Sequence, residues 1–234
     1  MTTIPTQLAA VRARLHAACQ AAGRSDDSVT LLAVSKTFGA DAVEAAYAAG
    51  QTWFGENYIQ EAVQKITALR QLPLVWHCIG PIQSNKTRLV AEHFDWVHTV
   101  DRLKVAQRLS EQRPAGLAPL QLCIQVNVDG GDTKSGVRPE DALALAQQVA
   151  ALPNVRLRGV MSIPEPATDF VAACALFTRV RAVFDALNAQ GLALDTLSMG
   201  MSADLEAAVH AGSTMVRVGT AIFGGRHYAP VAAG

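Results

Sequence analysis

Apolar and polar positions along this chain repeat on two length scales. Short runs that are apolar or β-branched throughout recur at 29–35 (VTLLAVS), 52–56 (TWFGE), 74–80 (LVWHCIG), 95–100 (DWVHTV), 120–128 (LQLCIQVNV), 155–162 (VRLRGVMS), 196–200 (TLSMG) and 214–220 (TMVRVGT). Alanine-rich stretches with helical spacing lie between them. In DAVEAAYAAG, Val43 and Tyr47 share one face and Gly50 is placed to end a helix. Runs apolar on both faces predict strands covered on both sides, hence a parallel sheet. The first four begin about 22 residues apart, the length of one compact strand–helix unit. Eight such units predict an α/β fold, a single (β/α)8 barrel. An open doubly wound sheet is the alternative; it fits less well because no GxGxxG follows the first run.

No linker divides the chain, so residues 1–234 are read as one barrel domain, with an N-terminal helix at about 4–22 and a short tail after about 224. Arg12, Arg14 and Arg24, with no acid before them, outline a transit peptide. The helical recurrence of Leu8, Val11, Leu15 and Ala18 favours the first helix of the domain instead.

Composition narrows the class. Half the residues are hydrophobic and 17% are charged, which is globular rather than disordered. A formal net charge of zero gives no ground for nonspecific binding to nucleic acid or to an anionic membrane. No apolar run approaches the ~20 residues of a membrane span. Cysteines 19, 78, 123 and 174 form no CxxC and read as reduced, buried thiols of a cytoplasmic protein. His16 and Cys19 are one helical turn apart, but two ligands do not make a metal site, and none is expected.

A barrel carries its chemistry at the carboxyl ends of its strands. Lys36, one of only five lysines, ends the first run. Asn57 follows the second in GENY, His77 is near the end of the third, and Ser162 follows the sixth in MSIP. Ser198, Gly200 and Ser202 follow the seventh; Arg217, Gly219 and Thr220 end the eighth. In a closed barrel the eighth strand neighbours the first, so Arg217 and Lys36 converge on one mouth. Small residues, hydroxyls and backbone N–H groups after strands seven and eight make a phosphate cradle, although tight turns and caps use the same residues. A lysine desolvated at a pocket mouth can attack carbonyls, although a snorkelling structural lysine is the plainer reading. An amine opposite an anion site admits two ligand classes: a phosphorylated sugar, as in class I aldolases, and pyridoxal 5'-phosphate. Arg217 could donate to a pyridine nitrogen and keep it unprotonated, or form a plain salt bridge.

AVSKTF, FGENYIQEA, WHCIGPIQSNK, VNVDGGDTKSGV, LRGVMSIPEP and LSMGMSADLEAAVHAGSTMVRVGTAIFG resemble, in order and from about Leu31 to Gly224, the pyridoxal phosphate homeostasis protein family. The resemblance implies a single barrel like the N-terminal domain of alanine racemase. It implies a Schiff base between pyridoxal phosphate and Lys36, phosphate held by Ser198, Ser202, Gly219 and Thr220, and Arg217 facing the pyridine nitrogen. Asn57 and His77 match motif positions at the mouth. Cys78 stands where an aromatic is expected, which would loosen packing under the ring.

Lys134 in VDGGDTKSG and the stretch Gln83–Arg88, with Ser84, Lys86 and Arg88 at a helix start, are possible second sites. Two functional readings remain. The preferred one is a binding protein that buffers pyridoxal phosphate and passes it to apo-enzymes, as a monomer and without substantial turnover of its own. The other is a racemase-like enzyme on the same barrel. Racemisation needs an acid/base on each face; alanine racemases bring the second tyrosine on an extra β-domain, and the chain stops where that domain would begin. A sugar-phosphate aldolase ranks below both, lacking a second acid/base lysine in the barrel.

Overall fold

A computed structural model of the chain describes residues 3–130 and 135–225. Eight strands form one closed parallel barrel in sequence order: β1 (Thr30–Val34), β2 (Trp53–Glu56), β3 (Val75–Cys78), β4 (Trp96–Val100), β5 (Leu120–Gln125), β6 (Val155–Met161), β7 (Thr196–Ser198) and β8 (Met215–Val218). Each falls inside the run that predicts it. The seam between β1 and β8 closes the barrel with Leu32 opposite Arg217 and Ala33 opposite Val218.

Helix α1 (Ile4–Ala21) precedes β1. One α-helix follows each of the strands β1 to β7: α2 (Ala40–Ala48), α3 (Ile59–Ala68), α4 (Thr87–His93), α5 (Leu103–Gln112), α6 (Ala142–Ala150), α7 (Phe170–Ala189) and α8 (Leu205–His210). The single-turn α9 (Thr220–Phe223) follows β8. The arginine-bearing N-terminal segment is therefore a docked helix. Thr3 caps it, Leu8, Val11, Leu15 and Ala18 are buried, and it packs on α2, α8 and α9. Helix α2 stops where Gly50 adopts a left-handed φ of 84°. No helix among the described residues is long and apolar enough to cross a membrane.

The continuous apolar runs follow from two cores. Leu31, Ala33, Phe54, Trp76, Leu122, Val216 and Val218 point outward and pack under the helices. Leu32, Val34, Ile79 and Met215, with Trp96, Cys123 and Met161, point into the barrel. Cys78 lies in the outer layer, so it does not affect packing beneath the mouth.

Side-chain period and strand pairing meet at Gly159. It faces Thr196 across the β6–β7 ladder, just past a register shift between β5 and β6. A Cβ there would lie 1.6 Å from the Thr196 carbonyl oxygen, which is backbone and cannot swing away. Gly159→Ala is expected to cost about 3 kcal/mol or more, measured by urea unfolding. An alanine variant as stable as the parent would mean that the β6–β7 register is misplaced.

Candidate functional site

Alternation along β1 carries Leu32 and Val34 into the barrel, and the next inward position is Lys36, just beyond the strand end. The side chain is half-buried and lines a cavity of about 310 Å³ at the carboxyl end of the barrel. That is a volume suited to a small cofactor. Asn57, Ser202, Arg217, Gly219 and Thr220 line the same cavity, and Phe38, Ile79, Ile163 and Met201 give it apolar walls. Six of the nine residues singled out from the sequence thus meet around one space.

The other three lie beneath it. His77, Ser162 and Ser198 are buried and do not line the cavity. They belong to a polar chain through the barrel interior. His77 Nδ1 is 2.9 Å from His98 Nε2, and His98 Nδ1 is 3.0 Å from Ser198 Oγ. Arg217 donates to Ser198 Oγ at 2.8 Å and to the Ser162 carbonyl at 3.0 Å. The sequence expectation placed these three at the mouth because a strand end read from sequence does not say which layer a side chain occupies. His77 sits one layer too deep, stacked on Trp96 with ring centroids 5.2 Å apart. Ser162 and Ser198 hold Arg217 rather than line the cavity.

Arg217 is buried and forms no ion pair among the described residues. Burial lowers it to about 10, with the distant charge of Asp204 opposing, so it remains cationic at neutral pH. Burial and the neighbouring guanidinium push His98 down to about 3, and burial followed by His98 puts His77 well below its ordinary value. The interior therefore holds neutral imidazoles and one positive charge that faces the cavity.

The side of the cavity read from the sequence as a phosphate cradle is formed by two loops. Among the described residues, the backbone N–H groups of Ser202, Ala203 and Gly219 make no hydrogen bond, and the hydroxyls of Ser202 and Thr220 stand beside them. Arg14, on α1, donates to the Ser202 carbonyl at 2.7 Å and pairs with Glu206; Asp204 Oδ1 takes the Met201 N–H at 2.6 Å. These clamps were invisible in the sequence, because α1 lies about 190 residues from the loop it holds. Asn57 Oδ1 is buried without a partner on the cavity wall. Gly219 allows close packing of β8 on β1: a Cβ there would meet the Val34 carbonyl at 3.0 Å, not the anion space.

Behind Lys36 lies a cluster the sequence reading missed. Lys65, on α3, is buried and bonds Glu56 Oε1 at 2.6 Å and the Ser35 carbonyl at 3.0 Å. Its position on the stripe Ile59, Ala62, Lys65, Leu69 was the available signal. Burial raises the Glu56 carboxyl above its ordinary range, and Lys65 and Ser35 draw it back.

Of the possible second sites, Lys134 lies outside the described residues. At Gln83–Arg88, residues Ser84–Lys86 form a 3-10 turn without a side-chain cap, and α4 begins only at Thr87. The described thiols are free, and burial pushes Cys78 and Cys123 up to about 12. Among the described residues no group of three or more His, Cys, Asp or Glu is placed to hold a metal ion.

Comparison with known proteins agrees with this geometry. Residues 6–227 match the family model described as alanine racemase, N-terminal domain. The chain is 61% identical over 228 residues to the pyridoxal phosphate homeostasis protein of Pseudomonas aeruginosa, covering 97% of this chain and 98% of that one. It is 52% identical to the protein of the same name from Escherichia coli K12, covering 97% and 99%. Among solved structures, PipY of Synechococcus elongatus with PLP bound superposes with a TM-score of 0.82 at 40% identity, covering 95% of this chain and 100% of that one. Alanine racemase of Clostridium difficile shares the fold, with a TM-score of 0.70 at 15% identity, over 94% of this chain and 57% of that one.

The neutral histidines have a stability consequence. The unfolded chain protonates His98 near pH 6.5, whereas the folded chain refuses that proton until about pH 3. Between those values the unfolded state binds more protons, so stability falls as pH falls, by up to about 1.4 kcal/mol per pH unit for each such histidine. Urea unfolding between pH 7 and 5 should show this decline, and His98→Gln should flatten the slope by about one proton. Equal slopes would place His98 in water.

Proposed function

The chain belongs to the pyridoxal phosphate homeostasis protein family, and from that premise we propose that it binds pyridoxal 5'-phosphate as a Schiff base on Lys36 and serves the cell as a cofactor carrier. It acts in the cytoplasm as a monomer, buffering pyridoxal phosphate and handing it to apo-enzymes. The observation that carries the reading is the shared cavity. Lys36 and the cation Arg217, which has no carboxylate partner among the described residues, meet there beside two hydroxyls and backbone N–H groups that make no hydrogen bond among the described residues.

These residues fit the group. Pyridoxal phosphate brings an aldehyde that a primary amine captures with loss of water, a phosphate anion, and a pyridine ring. Lys36 supplies the amine. Ser202, Ala203, Gly219 and Thr220 hold the phosphate, chiefly through main-chain N–H groups. Arg217 donates to the ring nitrogen and, being cationic, keeps that nitrogen from binding a proton, which makes the ring a poor electron sink. Asn57 Oδ1 accepts from a ring substituent. Ser198, Ser162, His98 and His77 act one step away, by fixing the guanidinium.

The lining also supports carriage over catalysis. Among its described residues it contains no histidine, tyrosine, cysteine or carboxylate that could serve as a second acid/base toward the opposite face of a bound ligand. Tyr58 is exposed and outside the lining. Reversible capture needs only one amine and an anion site; racemisation needs a second acid/base.

The purified protein mixed with pyridoxal phosphate should turn yellow, and borohydride should fix the label to a Lys36 peptide. A label mainly on Lys134 would overturn the assignment. If main-chain groups carry the phosphate, Ser202→Ala and Thr220→Val should each weaken binding by only about 1 kcal/mol. The loaded protein should reactivate an apo-enzyme while free amino acids pass through unchanged. Racemisation, decarboxylation or deamination of any amino acid that is abolished by Lys36→Ala would establish the enzyme reading instead.

A further inference from the structure

The backbone on both sides of Lys36 is tied to a single buried ammonium. Lys65 Nζ donates to the Ser35 carbonyl at 3.0 Å and to Glu56 Oε1 at 2.6 Å, and lies 3.4 Å from Glu61 Oε1. Each carboxylate then grips a neighbour of Lys36. Glu56 Oε1 accepts the Ser35 hydroxyl at 2.6 Å, and Glu61 Oε1 accepts the Thr37 N–H at 3.0 Å. Ser35 N–H is held as well, by the Gly55 carbonyl at 3.0 Å. Thr37 is kept at a φ of 68°, a left-handed conformation that costs a β-branched residue energy and persists only when its surroundings impose it. The strain and the buried charge therefore coincide at the residues that flank the reactive amine.

Buried ion pairs are weak devices for stability, because desolvation offsets their attraction. An ammonium buried behind a strand end needs another justification. Resting on the carrier reading above, we infer that Lys65, with Glu56 and Glu61, is the positioning cluster for Lys36: it fixes the backbone on either side so that the amine is aimed at the cofactor aldehyde. The step it serves is condensation. The Lys36 amine, in its neutral –NH2 form, attacks the aldehyde carbon, a C=N bond forms, and the aldehyde oxygen leaves as water with the two amine hydrogens. The cluster touches neither the ring nor the phosphate. It should govern affinity for the aldehyde and leave the phosphate cradle alone.

The test compares two ligands. Pyridoxal phosphate can condense with Lys36; pyridoxine 5'-phosphate carries an alcohol in place of the aldehyde and cannot. Lys65→Met should weaken pyridoxal phosphate at least 10-fold and diminish its imine absorbance, with pyridoxine phosphate within 2-fold of the parent. Glu61→Ala changes a half-exposed side chain that can be lost without harm to the core, and should weaken pyridoxal phosphate about 3-fold with the same selectivity. Lys65→Met combined with Glu56→Gln removes the stranded buried carboxylate. It should regain thermal stability but not aldehyde affinity, since the Ser35 carbonyl still lacks its donor. Equal losses for both ligands, parent-like affinity in Glu61→Ala and Lys65→Met, or recovery of aldehyde affinity in the double variant would each overturn the proposal. If Lys65→Met does not fold, Glu61→Ala and the double variant decide. A parent protein that takes no borohydride label at Lys36 would overturn the premise, and the inference with it.

Discussion

The site depends on the closure of β8 onto β1. That seam pairs Leu32 with Arg217 and Ala33 with Val218, residues separated by most of the chain. A parallel pairing of this register places an inward residue of β8 one layer below the end of β1. It is what brings a guanidinium and an amine to one cavity. Gly219 permits the close approach that the seam requires, because its missing Cβ leaves room for the Val34 carbonyl. In an open sheet the two strands would be opposite edges, and the same residues would form two unrelated surfaces.

Closure also sets the electrostatics. Arg217 is the buried cation beneath the mouth, and neither His98 nor His77 takes up charge near neutral pH. The interior accommodates Arg217 with a neutral oxygen on each side, Ser198 Oγ and the Ser162 carbonyl, rather than with a carboxylate. A carboxylate would neutralise the guanidinium and remove its attraction for an anion. Acidic partners are instead kept outside the barrel wall, where Glu56 and Glu61 neutralise Lys65. Separating the two charge systems by a strand leaves the cavity electropositive.

The strands and Lys36 were legible because they depend on local signals: apolar runs, a spacing, and a lysine that breaks a run. Which layer a residue occupies was less legible. His77, Ser162 and Ser198 sit at strand ends in the sequence but inside the barrel in space, because stagger between tilted strands offsets ends that look equivalent. The family resemblance put Ser198 on the phosphate and His77 at the mouth, whereas Ser198 accepts from Arg217 and His77 lies against His98 beneath the cavity. Arg14 and Lys65 were missed for different reasons. The contact of Arg14 with Ser202 spans nearly the whole chain and has no local trace. Lys65 did leave a trace, a charge on the buried stripe of α3, but one charged residue in an amphipathic helix is ordinarily a solvated edge.

On the carrier reading proposed above, the division of labour around the cavity would let one small barrel hold a reactive cofactor and still release it. The main-chain N–H groups proposed to take the phosphate lie in a loop held by Arg14, Glu206 and Asp204, so capture there would need no side chain to move. The proposed covalent bond would rest on one amine whose flanking backbone is pinned from outside the barrel. The first provides retention; the second can be undone by water or by another amine without disturbing the first. The described lining contains no histidine, tyrosine, cysteine or carboxylate, which on that reading would leave one face of the bound group without a proton carrier. The features that would make a catalyst, a second proton carrier and an acid on the ring nitrogen, are the ones that would let the cofactor react before it is delivered. On that reading Arg217, in place of a carboxylate, would serve storage: its charge would attract the anion, and its lack of an acceptor site would leave the ring a poor electron sink.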